Sequence, residues 1–184
     1  MILSKPNALV YVMRSGLVVA GRHLKQSRLN FPADVMHNLE VVNPEKCIDL
    51  CQQFFVENGL QHKRVLIILD NSVVFRKNIR LDESGTPDLI SQAFVAAMPF
   101  EEGQRACLNI QAENLLQLVA VNAHIYEAVA EALHAAGVAK LMGIIPVAAY
   151  DLTNTDRKLS SLVDQFLKGT DASHQSDFSK VQPL

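Results

Sequence analysis

Two apolar runs, "ALVYVM" at 8–13 and "LVVAGRHL" at 17–24, stand either side of Arg14-Ser15-Gly16. Arg-Ser-Gly supplies turn chemistry, so the pair predicts a β-hairpin. "QSRLNF" and "DVMHNLEVV" are read as continuing the sheet, with Pro32 limiting the pairing between them. Asn43-Pro44 then gives a helix start: a capping side chain followed by proline at the first helical position. Cys47, Ile48, Cys51, Phe54 and Phe55 fall on one face at helical periodicity, and Asn58-Gly59 stops the helix. "RVLIIL" reads as a buried strand that turns at Asp70-Asn71-Ser72. In the next strand Val73, Phe75, Ile79 and Leu81 share one side, and Val74, Arg76, Asn78 and Arg80 the other. Lys77 falls on the apolar side, which predicts a strand end or a bulge there.

Thr86-Pro87-Asp88 starts a second helix with Leu89, Ile90, Ala93, Phe94 and Ala97 inward, ended by Met98-Pro99. "FEEGQRACLNI" fits a bent strand, and "NLLQLVAV" a regular one. A helix from about Ala123 to Ala136 buries Ile125, Val129, Ala132, Leu133 and Ala136 and stops at Gly137, before the strand "AKLMGIIP". This succession has the size of a βαβ unit. A last amphipathic helix is expected at Thr155–Lys168, and the polar stretch 169–184 is expected to be flexible. The fold class is therefore α/β or α+β, with a mixed sheet, an N-terminal hairpin and a late βαβ unit. One domain spans 1–168, divisible into small lobes of 1–43 plus 139–168 and of 44–138.

Composition narrows the function. The 184 residues are 49% hydrophobic, which is ample for a core, and the net charge of −2 gives no reason to expect nucleic acid. The one basic patch, Arg22, His23, Lys25 and Arg28, lacks interleaved aromatics and reads as a solvated strand edge. Three cysteines make no disulfide framework and suit a reducing compartment. No secretory leader or run long enough to span a bilayer is legible, so no membrane insertion is expected within the chain.

The search for chemistry yields isolated candidates. Asp70 ends an apolar strand, where doubly wound folds place acids that take phosphate or Mg²⁺, yet Asp-Asn-Ser is also what a tight turn requires. There is no GxxxxGK[ST] and no GxGxxG. His124 and His134 stand about 15 Å apart along one helix and cannot share an ion. His23, His37, His62 and His174 lie in separate segments. Cys47 and Cys51, one helical turn apart, fit small core residues better than a metal pair. Cys107 has Arg105 nearby, which would favour a thiolate, but its apolar run favours an inert thiol. Glu101-Glu102 is adjacent and exposed. Neither a catalytic site nor a metal or cofactor site is assigned, and partner-binding residues are not identified.

The order of "GLQHKRVLIILDNSVVFRKNIRLD", "DLISQAFVAAMPFEE" and "NLLQLVAVNAHIYEAVAEALHAAGVAKLMGIIPVAAY" resembles the first half of the PilM/GspL family. That family is actin-like and forms the cytoplasmic part of the inner-membrane platform of type IV pili and type II secretion. The resemblance covers roughly Pro44 to Tyr150. It rests on Arg76 at the centre of a strand before "IRL", on a helix leading to "MPFEE", and on a "VAVN" strand followed by a helix and "AAG". None of these is a catalytic signature. Where ATP-binding actins open with an acidic, glycine-containing phosphate loop, this chain has Arg14-Ser15-Gly16, and an arginine cannot hold Mg²⁺ as a carboxylate does.

The resemblance implies an actin-like, ribonuclease H-like half acting as a non-catalytic scaffold. It would sit on the cytoplasmic side at the inner face of the membrane. Its partners would be other platform proteins, the cytoplasmic tail of a membrane protein, or a second copy in a homodimer. Two alternatives stay open: a cryptic nucleotide or phosphate enzyme using Asp70 and Arg14, and a regulatory protein-binding module unrelated to pili.

Overall fold

A computed structural model describes residues 5–80, 87–112, 115–147, 177–181 and 183. Ten strands and three α-helices succeed one another among them: β1 Ala8–Met13, β2 Gly16–Gly21, β3 Leu24–Asn30, β4 Met36–His37, β5 Glu40–Val41, α1 Pro44–Glu57, β6 Arg64–Leu69, β7 Val74–Arg80, α2 Pro87–Ala96, β8 Arg105–Ala112, β9 Leu115–Asn122, α3 Ala123–Ala135 and β10 Lys140–Pro146. A 3-10 turn at Phe178–Lys180 follows. The helix expected at Thr155–Lys168, the residues 169–176 and the Thr86 helix start lie outside the described residues.

The strands form a five-stranded sheet in the order β3-β2-β1-β6-β10, a three-stranded sheet in the order β7-β9-β8, and the small β4–β5 hairpin. In the large sheet β1 and β2, and β2 and β3, are antiparallel, whereas β1–β6 and β6–β10 are parallel. A hairpin strand running against an otherwise parallel core, with the chain returning to the far side of β1, is the ribonuclease H-like order that actin-like proteins share. The fold is thus mixed α/β, as expected. Both faces of the central strands β1 and β6 are buried, which is why "ALVYV" and "VLIIL" are continuous apolar runs without alternation. Val10, Val12, Ile67 and Leu69 face Cys47, Cys51 and Phe55 of α1 and Val129 and Leu133 of α3 in one core, while Leu9, Tyr11, Leu66, Ile68 and Ile145 form the opposite face.

The first hairpin is as read, with Arg14-Ser15 as its two-residue turn. Gly16 is required there because a Cβ on it would stand 2.0 Å from the Leu29 carbonyl oxygen of β3. The run read as 17–24 breaks at a second tight turn, Arg22-His23, where His23 has φ 62°. Residues 36–41 do not continue the sheet; they fold back on themselves as β4–β5. The Asn43 side chain accepts from the Lys46 amide at 3.0 Å and Pro44 opens α1, so the cap works as the sequence indicates.

Three corrections concern β7 to β10. Lys77 marks neither a strand end nor a bulge, because β7 pairs with β9 in unbroken register from Val74 to Arg80 and Lys77 lies opposite Leu118. In α2 only Phe94 of the expected inner face is buried; Leu89 is 65% exposed, and Met98 and Phe100 beyond the helix end complete the contact with the small sheet. The β9–α3–β10 succession is present, but β9 is the central strand of the small sheet and β10 an edge strand of the large one, so α3 joins two sheets. Residues 74–122, which carry the small sheet and α2, are an insertion between β6 and α3. The boundary between sheets accordingly falls inside 44–138, with α1 and β6 on the side of the large sheet.

Candidate functional site

In open α/β sheets ligands bind beyond the carboxyl ends of parallel strands where the strand order reverses. Here that point lies between β1 and β6. β1 ends in the Arg14-Ser15 turn and β6 in Asp70, so the fold brings the two most suggestive polar residues of the sequence to one edge. The Asp70 amide donates to the Val12 carbonyl at 2.9 Å, extending the β1–β6 ladder by one bond. The Arg14 amide donates to Ser72 Oγ at 3.1 Å, tying the hairpin turn to the turn after β6.

Both carboxylate oxygens of Asp70 are engaged. Oδ1 accepts from the Ser72 amide at 2.8 Å, which is the local bond of an Asx turn, and Oδ2 accepts from the Tyr11 hydroxyl. Tyr11 lies on β1 and is 9% exposed, so its hydroxyl has little access to water. Burial above all, and then the bond to and charge of Asp70, hold the Tyr11 phenol well above the usual tyrosine range. The Arg14 guanidinium has a partner on the β4–β5 hairpin: Nη2 donates to Asn38 Oδ1 at 2.9 Å. Arg28 of the basic patch donates to Ser15 Oγ at 2.9 Å and to Asn30 Oδ1 at 2.9 Å, which ties the hairpin tip to β3.

Asn38 and Leu39 form the β4–β5 turn, with φ of 47° and 68°. A left-handed leucine is strained by roughly 1 kcal/mol or more. It is held in place because its carbonyl accepts from Asn122 Nδ2 at 3.2 Å and its side chain packs on both the main core and the core of the small sheet. The turn therefore links the Arg14 tip on one side to the start of α3 on the other. Sequence reasoning missed Tyr11, Asn38 and Leu39. Tyr11 hides in an apolar run, and a left-handed Asn-Leu pair lacks the glycine that normally signals such a turn.

The remaining candidates stay apart. Cys47 and Cys51 are both buried on α1 within the main core, and the Cys51 thiol is pushed far up by its hydrogen bond to Cys47 and by burial. Cys107 lines a groove of about 510 Å³ between α2 and β8 with Gln92, Val95 and Arg105. Burial pushes its thiol up and Arg105 only partly offsets this, so the protonated form prevails. The Arg105 guanidinium is occupied by the Phe100 carbonyl at 2.8 Å. His124 and His134 are exposed on α3, and Glu101 and Glu102 are exposed before β8. Among the described residues no three His, Cys, Asp or Glu side chains are grouped to hold a metal ion, and no helix is long and apolar enough to cross a membrane.

No protein-family model and no curated protein matches the chain. Solved structures are similar to it. The PilM–PilN type IV pilus biogenesis complex matches at 15% identity over 77% of this chain and 46% of that one, with a TM-score of 0.46. The cytoplasmic domain of EpsL, an inner-membrane component of the type II secretion system of Vibrio cholerae, matches at 8% identity over 76% of this chain and 56% of that one, with a TM-score of 0.49. A protein of unknown function with an actin-like ATPase fold from Bacteroides thetaiotaomicron matches at 10% identity over 70% of this chain and 49% of that one, with a TM-score of 0.40. The chain spans about half the length of these structures. Its own fold assignment rests on the strand order of the large sheet.

Proposed function

We propose that the chain is a non-catalytic scaffold of an inner-membrane assembly platform serving type IV pilus or type II secretion machinery. The observation that carries the first half of this reading is the state of the β1–β6 edge. Its acid is bonded to Tyr11 and Ser72, its turn amide to Ser72, and its arginine to Asn38. Groups that would grip a phosphate are instead used to hold two turns together. The pilus or secretion setting comes with the resemblance of residues 44–150. On this reading the chain works on the cytoplasmic side at the inner face of the membrane, and its partners are platform proteins, a short cytoplasmic tail, or a second copy.

The competing phosphate-enzyme reading gains from the shared edge of Arg14 and Asp70, and loses because each side chain already has a partner. Calorimetric titration of the whole chain with Mg–ATP, with phosphate release followed in parallel, separates the two. A scaffold gives no saturable heat and no release. Saturable nucleotide binding that Asp70→Ala abolishes would overturn the proposal. The setting is tested by crosslinking in native membranes, which should enrich pilus or secretion platform components over other inner-membrane proteins; equal recovery of both would remove it.

A further inference from the structure

We infer that the end of the large sheet opposite Asp70 is a docking surface for an anionic membrane: a cationic shelf of Lys5, Arg22, Lys25, Lys63, Arg64 and Lys140 that rests on acidic lipid headgroups without inserting. The inference stands whether or not the scaffold reading does.

The charges of the chain are unevenly distributed. The first 33 residues hold five of the 17 basic side chains and none of the 19 acidic ones. Along the sequence, Arg22, Lys25 and Arg28 read as a strand edge in water, but the fold changes their company. Arg28 is drawn to the hairpin tip, where it donates to Ser15 Oγ at 2.9 Å. Arg22 and Lys25 stand at the other end of the hairpin, where β2 finishes and β3 starts. β6 runs parallel to β1 and β10 parallel to β6, so both begin at that same end. The Arg22 amide donates to the Asn7 carbonyl at 3.1 Å, and the Asn7 amide to the Arg64 carbonyl at 2.9 Å. Arg64 lies opposite Lys140 in the β6–β10 register, and the Lys63 carbonyl accepts from the Ala139 amide at 3.0 Å. Lys5 joins them from the stretch before β1, its carbonyl accepting from Arg64 Nε at 2.8 Å. Neighbouring strands lie about 4.8 Å apart, so the shelf runs about 20 Å from Lys25 on β3 to Lys140 on β10.

Lys5, Arg22, Lys25 and Lys140 are exposed, and Lys63 and Arg64 are half-buried. The two helices that finish at this end carry Glu57 in the last turn of α1 and Glu131 about one turn before the end of α3. Glu57 already accepts from Gln53 Nε2 at 2.8 Å. An anionic leaflet suits this arrangement better than a nucleic acid does. Its potential fades within a Debye length, about 8–10 Å, so it reads the end that meets it and not the acidic remainder of the chain. A nucleic acid calls for an element that enters a groove or for rings that stack on bases. The shelf is the blunt end of a sheet, and no phenylalanine or tyrosine adjoins any of its six residues in the chain.

The test is co-sedimentation of the whole chain with vesicles of phosphatidylglycerol and phosphatidylcholine mixed in roughly equal parts, against vesicles of phosphatidylcholine alone. The chain is expected to pellet with the first and to stay in the supernatant with the second. Raising the salt from about 0.1 M to about 1 M shortens the Debye length from about 10 to about 3 Å and should release it. Each lysine at the surface is worth about fivefold in binding, so Lys25→Gln with Lys140→Gln should weaken it about 25-fold. Should the double variant not melt cooperatively, each single variant is read instead, at about fivefold. Arg76→Gln with Lys77→Gln removes the same charge from β7 of the small sheet and should leave binding unchanged. The inference is overturned by a chain that ignores the anionic vesicles, by equal binding to neutral ones, or by a loss in the β7 variant as large as that in the shelf variant. A DNA duplex bound as tightly as the anionic vesicles would overturn it in favour of nucleic acid.

Discussion

If Asp70 serves the architecture, replacing it must cost stability. Asp70→Ala removes the acceptor of the Tyr11 hydroxyl and of the Ser72 amide together. Because Tyr11 is 9% exposed, its hydroxyl is left without a partner, at about 1–3 kcal/mol. Loss of the turn bond to Ser72 adds about 0.5–1 kcal/mol. Tyr11→Phe deletes only the donor and leaves Asp70 its Ser72 bond, so it costs about 0.5–1.5 kcal/mol. The two variants destroy the same bond, and the double variant should fall short of additivity by about 1–2 kcal/mol. Urea unfolding monitored by circular dichroism reads this directly, as a midpoint lowered by about 1–2 M for Asp70→Ala at unchanged slope. The opposite outcome is informative. Residues held for ligands are often strained, and their removal leaves stability equal or higher. An Asp70→Ala chain as stable as wild type, or more so, would refute the structural role and return Asp70 to the list of chemical groups.

Two further outcomes are expected. Gly16→Ala drives a Cβ into the Leu29 carbonyl of the neighbouring strand and should lower the melting temperature by about 5–15 °C; an unchanged midpoint would mean that the β2–β3 ladder is not packed as described. Burial, with a smaller push from Glu127, raises the Tyr126 phenol from 10.0 to about 12, and Tyr11 is raised further. Since the unfolded chain ionises first, this stability is fully present below pH 10 and is lost as pH climbs from there through the folded-state values. Denaturation midpoints should fall with pH above 10, less steeply in Tyr126→Phe, and an identical slope in that variant would count against the burial of the ring.

What was legible in the sequence was local. The Arg14-Ser15-Gly16 turn, the Asn43-Pro44 cap and the α3 face from Ile125 to Ala136 each depend on residues within a few positions, and each is found where the pattern puts it. Sheet membership was not legible. "NLLQLVAV" and "AKLMGIIP" have the same apolar signature, and what separates them is which distant strand each pairs with: β9 with β7 and β8, β10 with β6. The face of α2 was misread because its partner is the small sheet, which Phe94, Met98 and Phe100 reach and Leu89 and Ala97 do not. At the candidate site Asp70 and Arg14 were visible as types, but their partners Tyr11 and Asn38 arrive from 59 and 24 residues away. The stretch 169–184 reads as polar and loose, and one buried aromatic, Phe178, is enough to dock residues 177–181 within it.

The insertion of 74–122 into the return from β6 to β10 sets an order of assembly. Ile67 meets Ile144, so that ladder closes a loop of about 75 residues, whereas β8 and β9 are neighbours in sequence and pair with little entropic delay. The small sheet can form while the large one is still missing its last strand. On the ribosome, the flank of β6 stays open until residue 146 has emerged, and a holdase that shields exposed strand flanks would find its target in that interval.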